Sequence, residues 1–410
     1  SIIFMESKKI KVLLAHPGTQ YSHQLAIQLN KLGVLYEFWT LFAISDNGLL
    51  SKLLRLLPNS ITKKLLNRVI GEIEPKKLRT MFYLEVKYLL KSKNGLTEDL
   101  IYQRNKEFQE AIPDNAIKNA DIIIGFDTSS FHLAERAKKH GKLFILDQSI
   151  AHPTSKIRVF EKISQLYPQY SKELSPKSKY LIELEDREHK IADYIVTASS
   201  FTKSTLIENA VQTEKIIVNP YGVNSLQFKL ISRPANKKIR FLFLGSLTLR
   251  KGIHVIFEIW KELAPLTAEL IIVGPAEQKM IERIPNMESI SYLGKIPHHD
   301  LQDIIRSSDV LLFPSFFEGF GLVILEAMAC GLPVITTDAT VGSDVIDNDI
   351  DGVVYNSFDI DRLKNIMLSF INTPTRAREM GLKAHEKASR FTWDSYGRRW
   401  EALLNKVTKL

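Results

Sequence analysis

Short apolar runs alternate with amphipathic segments along the chain. Segments such as 22–31 carry apolar residues at helical spacing and predict helices between the runs. The alternation stops at 225–238, which contains Pro234, and then starts again. Alternating strands and helices are typical of an α/β domain with a parallel sheet, so the pattern predicts two such domains. The runs that predict buried strands are Lys9–Ala15, Asp121–Phe126, Lys142–Leu146, Tyr194–Ala198, Arg240–Leu244, Glu269–Val273, Ile290–Leu293, Val310–Phe313, Val334–Thr337 and Gly352–Tyr355.

One stretch of the second half, Pro314–Asp338, combines this pattern with charged residues. It reads PSFFEGFGLVILEAMACGLPVITTD and predicts a loop, an apolar helix that ends at Gly331, and a strand. Glu318 lies in the loop, and Glu326 follows eight residues later inside the helix. Ligands bind outside the carboxyl ends of parallel strands, where Glu318 is expected. Because carboxylates accept hydrogen bonds, the two glutamates favour a hydroxyl-rich ligand such as a sugar or a ribose.

The first loop of the second half favours a bound anion. Gly245–Gly252 precedes a predicted helix and places Arg250 and Lys251 at the helix start. Cations at that end oppose the helix dipole, so two in succession are best explained by an anion. A helix start also binds phosphate through its free N–H groups. A solvated pair of cations that points away from the helix is the alternative.

The sequence EGFGLVILE, followed by AMACGLPVI, closely resembles the E-x7-E signature of retaining GT-B glycosyltransferases of family 4, the glycosyl transferases group 1. The resemblance implies two Rossmann-like domains that face each other across a cleft, with a C-terminal helix that crosses back to the first domain. It implies that Glu318 is catalytic and contacts the donor sugar, and that Glu326 contacts the ribose of the nucleotide. Gly319, Phe320 and Gly321 belong to the same donor-binding loop.

The resemblance extends to the loops that would hold the rest of the nucleotide. In the family, an arginine and a lysine after the first strand of the second domain bind the diphosphate. Lys251 matches the lysine, while Ser246 stands at the usual arginine position, so Arg250 is expected to compensate. The residues that the resemblance places against the base are Lys295 and Ile296.

The first half is expected to bind the acceptor. Its opening strand, loop and helix lack a G-x-G-x-x-G sequence, which argues against a dinucleotide cofactor there. By resemblance, Gly18 faces the cleft. His152 is the catalytic candidate at the reacting sugar, with Asp147 behind it. The alternative is that His152 is only a turn residue before Pro153.

The resemblance also divides the chain. Residues 1–224 are expected to form the acceptor-binding domain, and residues 225–238 the linker. Residues 239–388 are expected to form the nucleotide-sugar-binding domain. Residues 389–410 would form the helix that returns to the first domain.

Composition excludes several classes of protein. Hydrophobic residues make up 45% and charged residues 25% of the 410, as in a soluble globular protein. No apolar run reaches the length of a membrane span, and the charges of the first residues are unlike a secretory signal. The single cysteine, Cys330, allows no disulfide within the chain and no cysteine cluster for zinc, which fits a cytoplasmic location.

A short acidic segment, Asp347–Asp351, contains D-x-D, a metal–nucleotide motif of a different glycosyltransferase fold. Aspartate and asparagine before glycine are also ordinary turn formers. Because the E-x7-E unit is present, we expect a turn here. We therefore expect no metal site and no cofactor.

Positive charge is concentrated in one segment, residues 48–93. It holds eleven Lys and Arg and three acidic residues, which accounts for most of the formal charge of +9. Ile61, Leu65, Leu66, Val69 and Ile70 recur at helical spacing among the cations, as in segments that lie on anionic membranes. Helices packed on the sheet with a solvated basic face are the alternative. No nucleic-acid motif accompanies the charge, so nucleic acid is not expected as a partner.

We therefore expect a retaining glycosyltransferase that moves a sugar from a nucleotide-diphospho-sugar to a hydroxyl acceptor. A glycan or lipid-linked acceptor, in cell-surface glycan, glycolipid or polysaccharide synthesis, fits the basic segment. Peripheral binding to the inner face of the membrane is then expected. Two alternatives stay open: another GT-B activity, such as a phosphorylase or a sugar-nucleotide epimerase, and a non-catalytic module that binds carbohydrate or membrane.

Overall fold

The computed structural model describes residues 10–18, 21–45, 69–92, 95–173, 178–230, 238–264, 266–297 and 300–408. Their strands form a seven-stranded and a six-stranded parallel sheet, one in each half of the chain, and a separate two-stranded pair. Helices cover the sheets, which confirms the predicted α/β class.

The seven-stranded sheet belongs to the first half, and its order is β5-β2-β1-β6-β7-β8-β9. Its central strands are apolar and buried on both faces, as parallel strands under helices must be. The order reverses between β1 and β6, so the loops after these strands diverge and leave a crevice. The strands of this half are β1 (Val12–Ala15), β2 (Leu35–Thr40), β3 (Ile44–Ser45), β4 (Val69–Ile70), β5 (Leu78–Thr80), β6 (Ile122–Phe126), β7 (Leu143–Gln148), β8 (Tyr194–Thr197) and β9 (Ile216–Val218).

Eight α-helices are described in the first half. They alternate with the strands and pack on both faces of the sheet. Their bounds are α1 (Ser22–Lys31), α2 (Phe82–Lys91), α3 (Glu98–Ala111), α4 (Asp114–Asn119), α5 (Phe131–Lys139), α6 (Pro153–Leu166), α7 (Lys179–Ile191) and α8 (Ser200–Glu208).

The six-stranded sheet belongs to the second half, and its order is β12-β11-β10-β13-β14-β15. This order reverses between β10 and β13. The loops that follow these two strands are Gly245–Gly252 and Pro314–Gly321, so the two loops predicted to bind ligand flank the same crevice. The strands are β10 (Ile239–Leu244), β11 (Ala268–Val273), β12 (Ile290–Tyr292), β13 (Val310–Phe313), β14 (Val334–Thr337) and β15 (Gly352–Tyr355).

The helices of the second half alternate with these strands and then close the chain. A short 3-10 helix, Leu249–Lys251, lies in the first loop. The α-helices are α9 (Ile253–Leu263), α10 (Gln278–Ile281), α11 (Leu301–Arg306), α12 (Leu322–Ala329), α13 (Gly342–Val345), α14 (Ile360–Asn372), α15 (Thr375–Ala388) and α16 (Trp393–Thr408).

The last helix, α16, packs on the first half of the chain, as the resemblance implied. Gly397 leaves no room for a side chain, since a Cβ there would lie 2.5 Å from the Gln28 side-chain oxygen of α1. Arg399 donates to the Asn219 side chain and to the Pro220 carbonyl, both at 2.6 Å. Trp400 is fully buried. The helix therefore ties the two halves together.

The sequence pattern did not predict β2, β3, β4 and β5. Strand β9 ends at Val218, two residues before Pro220, which lacks the N–H group that a parallel ladder needs. Strand β2 was not predicted from the pattern, since Glu37 interrupts its apolar run. That carboxylate is held by Arg79 and by the Trp39 ring nitrogen, at 2.9 and 2.8 Å.

Candidate active site

The loop after β13 carries Glu318 and is shaped by two glycines. Gly321 has φ of +91°, a left-handed conformation that glycine adopts without strain, and it begins α12. Gly319 lies against the first half of the chain, where a Cβ would come within 2.2 Å of the Ser149 carbonyl oxygen. The Glu318 amide donates to the Ala339 carbonyl at 3.0 Å. The loop is thus fixed on both sides of the glutamate.

The loop after β10 brings two cations to the same glutamate. Gly252 has φ of +75°, and a Cβ there would meet the Pro314 carbonyl oxygen at 2.2 Å, so the two loops pack directly together. Arg250 donates to Glu318 Oε2 at 3.0 Å and to the Phe317 carbonyl at 2.7 Å. Lys251 Nζ also donates to Glu318 Oε2. The three side chains form one charged cluster.

The three side chains are largely shielded from water, and this shifts the pKa values of Glu318 and Lys251. Burial raises the pKa of Glu318, but Lys251 and Arg250 outweigh this effect and hold the pKa below its ordinary value. Burial lowers the pKa of Lys251, and only the Glu318 carboxylate opposes that shift. The cluster therefore presents one partly buried carboxylate and two cations.

Glu326 is in the second turn of α12 and lines the same cavity, whose volume is about 520 Å³. Burial alone raises the pKa of Glu326 to about 7. Lys295 and Ile296 of the loop after β12 line the cavity as well. The cavity is lined by Tyr21, Leu244, Gly245, Ser246, Arg250, Lys251, Val273, Gly274, Pro275, Lys295, Ile296, Leu301, Phe313, Glu318, Gly321, Leu322, Val323 and Glu326.

Most of the residues expected at the donor are therefore brought together. Gly319 and Phe320 are not among the residues that line the cavity. They face the first half of the chain instead, where the Phe320 ring lies 4.9 Å from that of Tyr221. Both residues are buried there.

Tyr21 was not predicted from the sequence, yet it lines the cavity from the first half of the chain. Its ring lies 3.9 Å from that of Tyr221. Burial, followed by the charges of Glu318 and Glu326, raises the pKa of Tyr21, so its hydroxyl stays protonated. The only sequence feature that marks Tyr21 is its position, as an aromatic residue directly before a predicted helix.

Two of the first-half candidates, Gly18 and Asp147, lie at the carboxyl ends of strands. Gly18 follows β1, and a Cβ there would lie 2.9 Å from His16 Nε2. Asp147 is buried near the end of β7. Burial, followed by the Asp127 charge, raises the pKa of Asp147 well above its usual range.

His152 lines a different cavity, of about 450 Å³. It is the N-cap of α6: the Thr154 amide donates to its Nδ1 at 3.2 Å. Its Nε2 lies 3.1 Å from Asp186 Oδ1. This is the turn role that the sequence left open as the alternative, and none of the residues lining this cavity lines the 520 Å³ cavity.

Residues His152, Asp186 and His189 place one ligand-type atom each within 4.8 Å of one another. The hydrogen bond from Thr154 N to His152 Nδ1 requires a lone pair on Nδ1, so the proton of a neutral ring lies on Nε2. That nitrogen faces Asp186 and is the one a metal would need. The cap therefore opposes metal binding by His152.

The acidic segment Asp347–Asp351 forms a turn. Asp347 pairs with Lys387 at 2.7 Å, and Asp349 pairs with Arg376 at 3.1 Å. The Asp347 amide donates to Asp351 Oδ1 at 2.8 Å. These carboxylates thus stabilise the turn itself and its contacts with α15.

Comparison with known proteins agrees with this geometry. Residues 227–387 match the family model "Glycosyl transferases group 1". The chain is 28% identical over 164 residues to O-antigen chain mannosyltransferase B of Escherichia coli, covering 38% of this chain and 42% of that one. It is 23% identical over 273 residues to the MMP alpha-(1->4)-mannosyltransferase of Mycolicibacterium hassiacum, covering 64% and 66%. The aligned regions thus span less than two thirds of these relatives.

Solved structures share the fold over nearly the whole chain. Sucrose-phosphate synthase from Thermosynechococcus elongatus has a TM-score of 0.69 and 17% identity, covering 98% of this chain and 99% of that one. Anabaena HepE in complex with UDP has a TM-score of 0.64 and 15% identity, covering 97% and 100%. With two parallel sheets, a returning last helix and these structural neighbours, the chain has the GT-B fold, and its residues 227–387 are similar to the glycosyl transferases group 1.

Proposed function

We propose that this protein is a retaining glycosyltransferase that uses a nucleotide-diphospho-sugar as donor. One observation carries the proposal. Arg250 and Lys251 converge on Glu318 at one wall of a cavity that Glu326 also lines. Two cations suit a diphosphate, and two carboxylates suit the hydroxyl groups of a sugar and a ribose. This combination fits a nucleotide-sugar better than it fits a neutral carbohydrate.

Different walls of the cavity would bind different parts of the donor. The diphosphate would lie at Arg250 and Lys251, and the transferred sugar would hydrogen-bond to Glu318. The ribose would lie at Glu326, and the base against Lys295 and Ile296. The second half of the chain supplies all of these residues, so it would bind the donor.

Charge stabilisation is the main catalytic contribution that these side chains can make. As the bond from sugar to phosphate breaks, negative charge grows on the diphosphate. Arg250 and Lys251 are already held in place by Glu318 and Phe317, so they would stabilise that charge without rearranging. Because two cationic side chains supply this charge, the proposal requires no metal ion.

The first half of the chain would bind the acceptor, through the crevice between β1 and β6. Gly18, Asp147 and His152 stay candidates there. The ring nitrogens of His152 contact Thr154 and Asp186, so it would act on the acceptor only through these neighbours. Tyr21 reaches the donor cavity directly and is the better placed of the first-half residues.

The test is a panel of nucleoside diphosphate sugars, incubated with and without candidate glycan acceptors, with product analysis. Transfer, or slow hydrolysis in the absence of acceptor, with retention of the anomeric configuration, is the expected result. Isomerisation of the nucleotide-sugar would indicate an epimerase, and sugar release by inorganic phosphate a phosphorylase. If the protein cleaves no donor of the panel, this result would indicate a non-catalytic module.

A second part of the proposal concerns a membrane surface, and α2 favours it. The side chains of Leu84 and Tyr88 are buried, whereas those on the opposite face are exposed, with Leu90 at 81%. The exposed apolar residues of this helix are Phe82, Tyr83, Val86, Leu89 and Leu90. Five apolar residues on one exposed helical face are typical of helices that lie in a membrane interface.

Charge complementarity favours an anionic bilayer as the partner of this face. Lys87 and Lys91 flank the exposed apolar face of α2, within the basic segment 48–93. Each cation close to an anionic surface contributes about 1 kcal/mol of attraction. Of the stripe predicted at helical spacing from Ile61 to Ile70, Ile61–Arg68 lies outside the described residues. Val69 and Ile70 correct that prediction, because they form strand β4 and Ile70 is buried in the core. Among the residues that the structure describes, no helix combines the length and apolarity that crossing a membrane requires.

A peripheral enzyme with a lipid-linked acceptor fits both parts of the proposal. The apolar face of α2 belongs to the half that would bind the acceptor. The protein would then work in glycolipid or cell-surface glycan synthesis.

A further inference from the structure

The loop that carries Glu318 is held by both halves of the chain. Within Phe317–Phe320, the Glu318 side chain turns to the cations of its own half, and its neighbours contact the first half. The Phe317 ring lies 5.6 Å from that of Phe201, edge to face. The Phe320 ring lies 4.9 Å from that of Tyr221. The glutamate is therefore fixed at an interface.

The closest of these contacts is made by the N-terminal turn of α8. Ser199 Oγ donates to the Gly319 carbonyl at 2.8 Å, and Thr202 Oγ1 donates to the same oxygen at 3.2 Å. Both hydroxyls are completely buried. A buried carbonyl without a donor is costly, so these two bonds fix the Gly319–Phe320 peptide, one residue beyond Glu318.

The same turn makes a second contact across the interface. Asp344 of α13 accepts from the Ser200 amide at 2.8 Å and from the Ser200 hydroxyl. It thereby satisfies an amide that the start of α8 leaves without a partner in its own helix. The turn 199–202 thus contacts both the Glu318 loop and the helix that follows β14.

We propose that Ser199 and Thr202 are positioning residues for Glu318, and that the donor site is complete only when the first half of the chain is docked through α8. The expected effect on turnover rests on the proposed function, whereas the expected effect on the structure of the Glu318 loop does not. A change at either hydroxyl would loosen the Gly319 peptide while leaving Arg250, Lys251 and Glu326 in place. Donor turnover would fall more than nucleotide binding.

Thr202→Val is the cleanest test, because it removes the hydroxyl and keeps the volume and the backbone. Ser199→Ala is less specific, since Ser199 Oγ also accepts from the Thr202 amide at 3.1 Å and caps the helix. Thr202→Ser restores the hydroxyl. Ser204→Ala is the matched control, because that exposed hydroxyl of the same helix bonds only the Phe201 carbonyl.

The first readout is hydrogen–deuterium exchange of the substrate-free protein at residues 315–321. The Phe316 and Glu318 amides donate to the Arg250 and Ala339 carbonyls, and their protection reports on the loop. Faster exchange in Thr202→Val and Ser199→Ala, with Thr202→Ser and Ser204→Ala like the wild type, is expected. Unchanged exchange in Thr202→Val would overturn the proposal, whatever the protein catalyses.

The second readout is steady-state kinetics with the donor found in the panel. Thr202→Val should lower kcat about two- to tenfold with little change in KM, as expected from one hydrogen bond. Recovery in Thr202→Ser is expected. A wild-type kcat in Thr202→Val would show that the hydroxyl does not position Glu318. If no donor is cleaved by the wild type, the proposed function fails, and the exchange result still decides the positioning role.

Discussion

Arg250 Nη1 donates to Glu318 Oε2 at 3.0 Å, and the two residues stand 68 positions apart in the chain. The carboxylate thus contacts a guanidinium that lines the cavity proposed for the diphosphate. The same holds for Lys251. A diphosphate would share these cations with Glu318, and the cluster would change from an ion pair inside the protein to a binding site.

Removal of either cation should weaken diphosphate binding. We expect Arg250→Ala and Lys251→Ala each to weaken the affinity for UDP or GDP about 10- to 100-fold, the range for one hydrogen bond to a charged group. Affinity for the matching nucleoside should change little, because the lost partner is the phosphate. Isothermal titration calorimetry measures both. Lys261→Ala, an exposed cation on α9, is the control.

Equal losses for the nucleotide and the nucleoside would place the cations away from the diphosphate. An effect of Lys251→Ala alone would show that Arg250 does not compensate for Ser246.

Glu326 should make stability depend on pH in a specific direction. Its pKa in the folded protein is raised to about 7, whereas an unfolded glutamate titrates at about 4.3. Between these values the folded state binds the extra proton, so the contribution of Glu326 to stability falls as pH rises toward 7 and is flat above it. Glu326→Gln mimics the protonated form and should lose this dependence.

The measurement is thermal unfolding of the wild type and Glu326→Gln between pH 5 and pH 8. The variant should gain stability over the wild type as pH rises. Parallel curves would show that Glu326 does not titrate in this range.

The exposed face of α2 should mediate membrane binding. The wild type should co-sediment with vesicles that contain anionic lipid at low salt, and less at high salt, because salt screens the charges. Leu90→Glu places a charge in the apolar face at an exposed position, so it should reduce binding without unfolding the protein. Leu382→Glu, an equally simple change at an exposed leucine of α15, is the control.

Wild-type protein that stays in the supernatant with anionic vesicles at low salt would argue for a soluble acceptor. Equal binding by Leu90→Glu would place the membrane contact outside α2.

The donor-binding residues could be predicted because they lie in short local motifs. Glu318 and Glu326 are separated by a spacing that one loop and one helix determine, and Arg250 and Lys251 mark a helix start. Their convergence could not be predicted from spacing alone, since it depends on Gly252 packing against Pro314 across two loops. The family resemblance supplied that information.

The contributions of the first half could not be predicted, for a physical reason. Tyr21, Ser199 and Thr202 act through contacts with residues more than a hundred positions away. Serine and threonine before a helix predict a cap, and Ser199 is one, but nothing local indicates its second bond to Gly319. His152 illustrates the converse: a histidine expected at the cleft caps α6.

The central claim is that Glu318 holds the donor sugar beside two cations, and the turnover of Glu318→Gln tests it most directly. With the donor identified in the panel, we expect kcat to fall on the order of 10²–10³-fold, because a charged hydrogen bond in the transition state is lost. Affinity for the free nucleoside diphosphate should survive, since the side-chain oxygen of the glutamine variant can still accept from Arg250 and Lys251, and Arg250 also donates to the Phe317 carbonyl. Glu262→Gln, an exposed position on α9, should behave as the wild type. Wild-type turnover by Glu318→Gln would contradict the account.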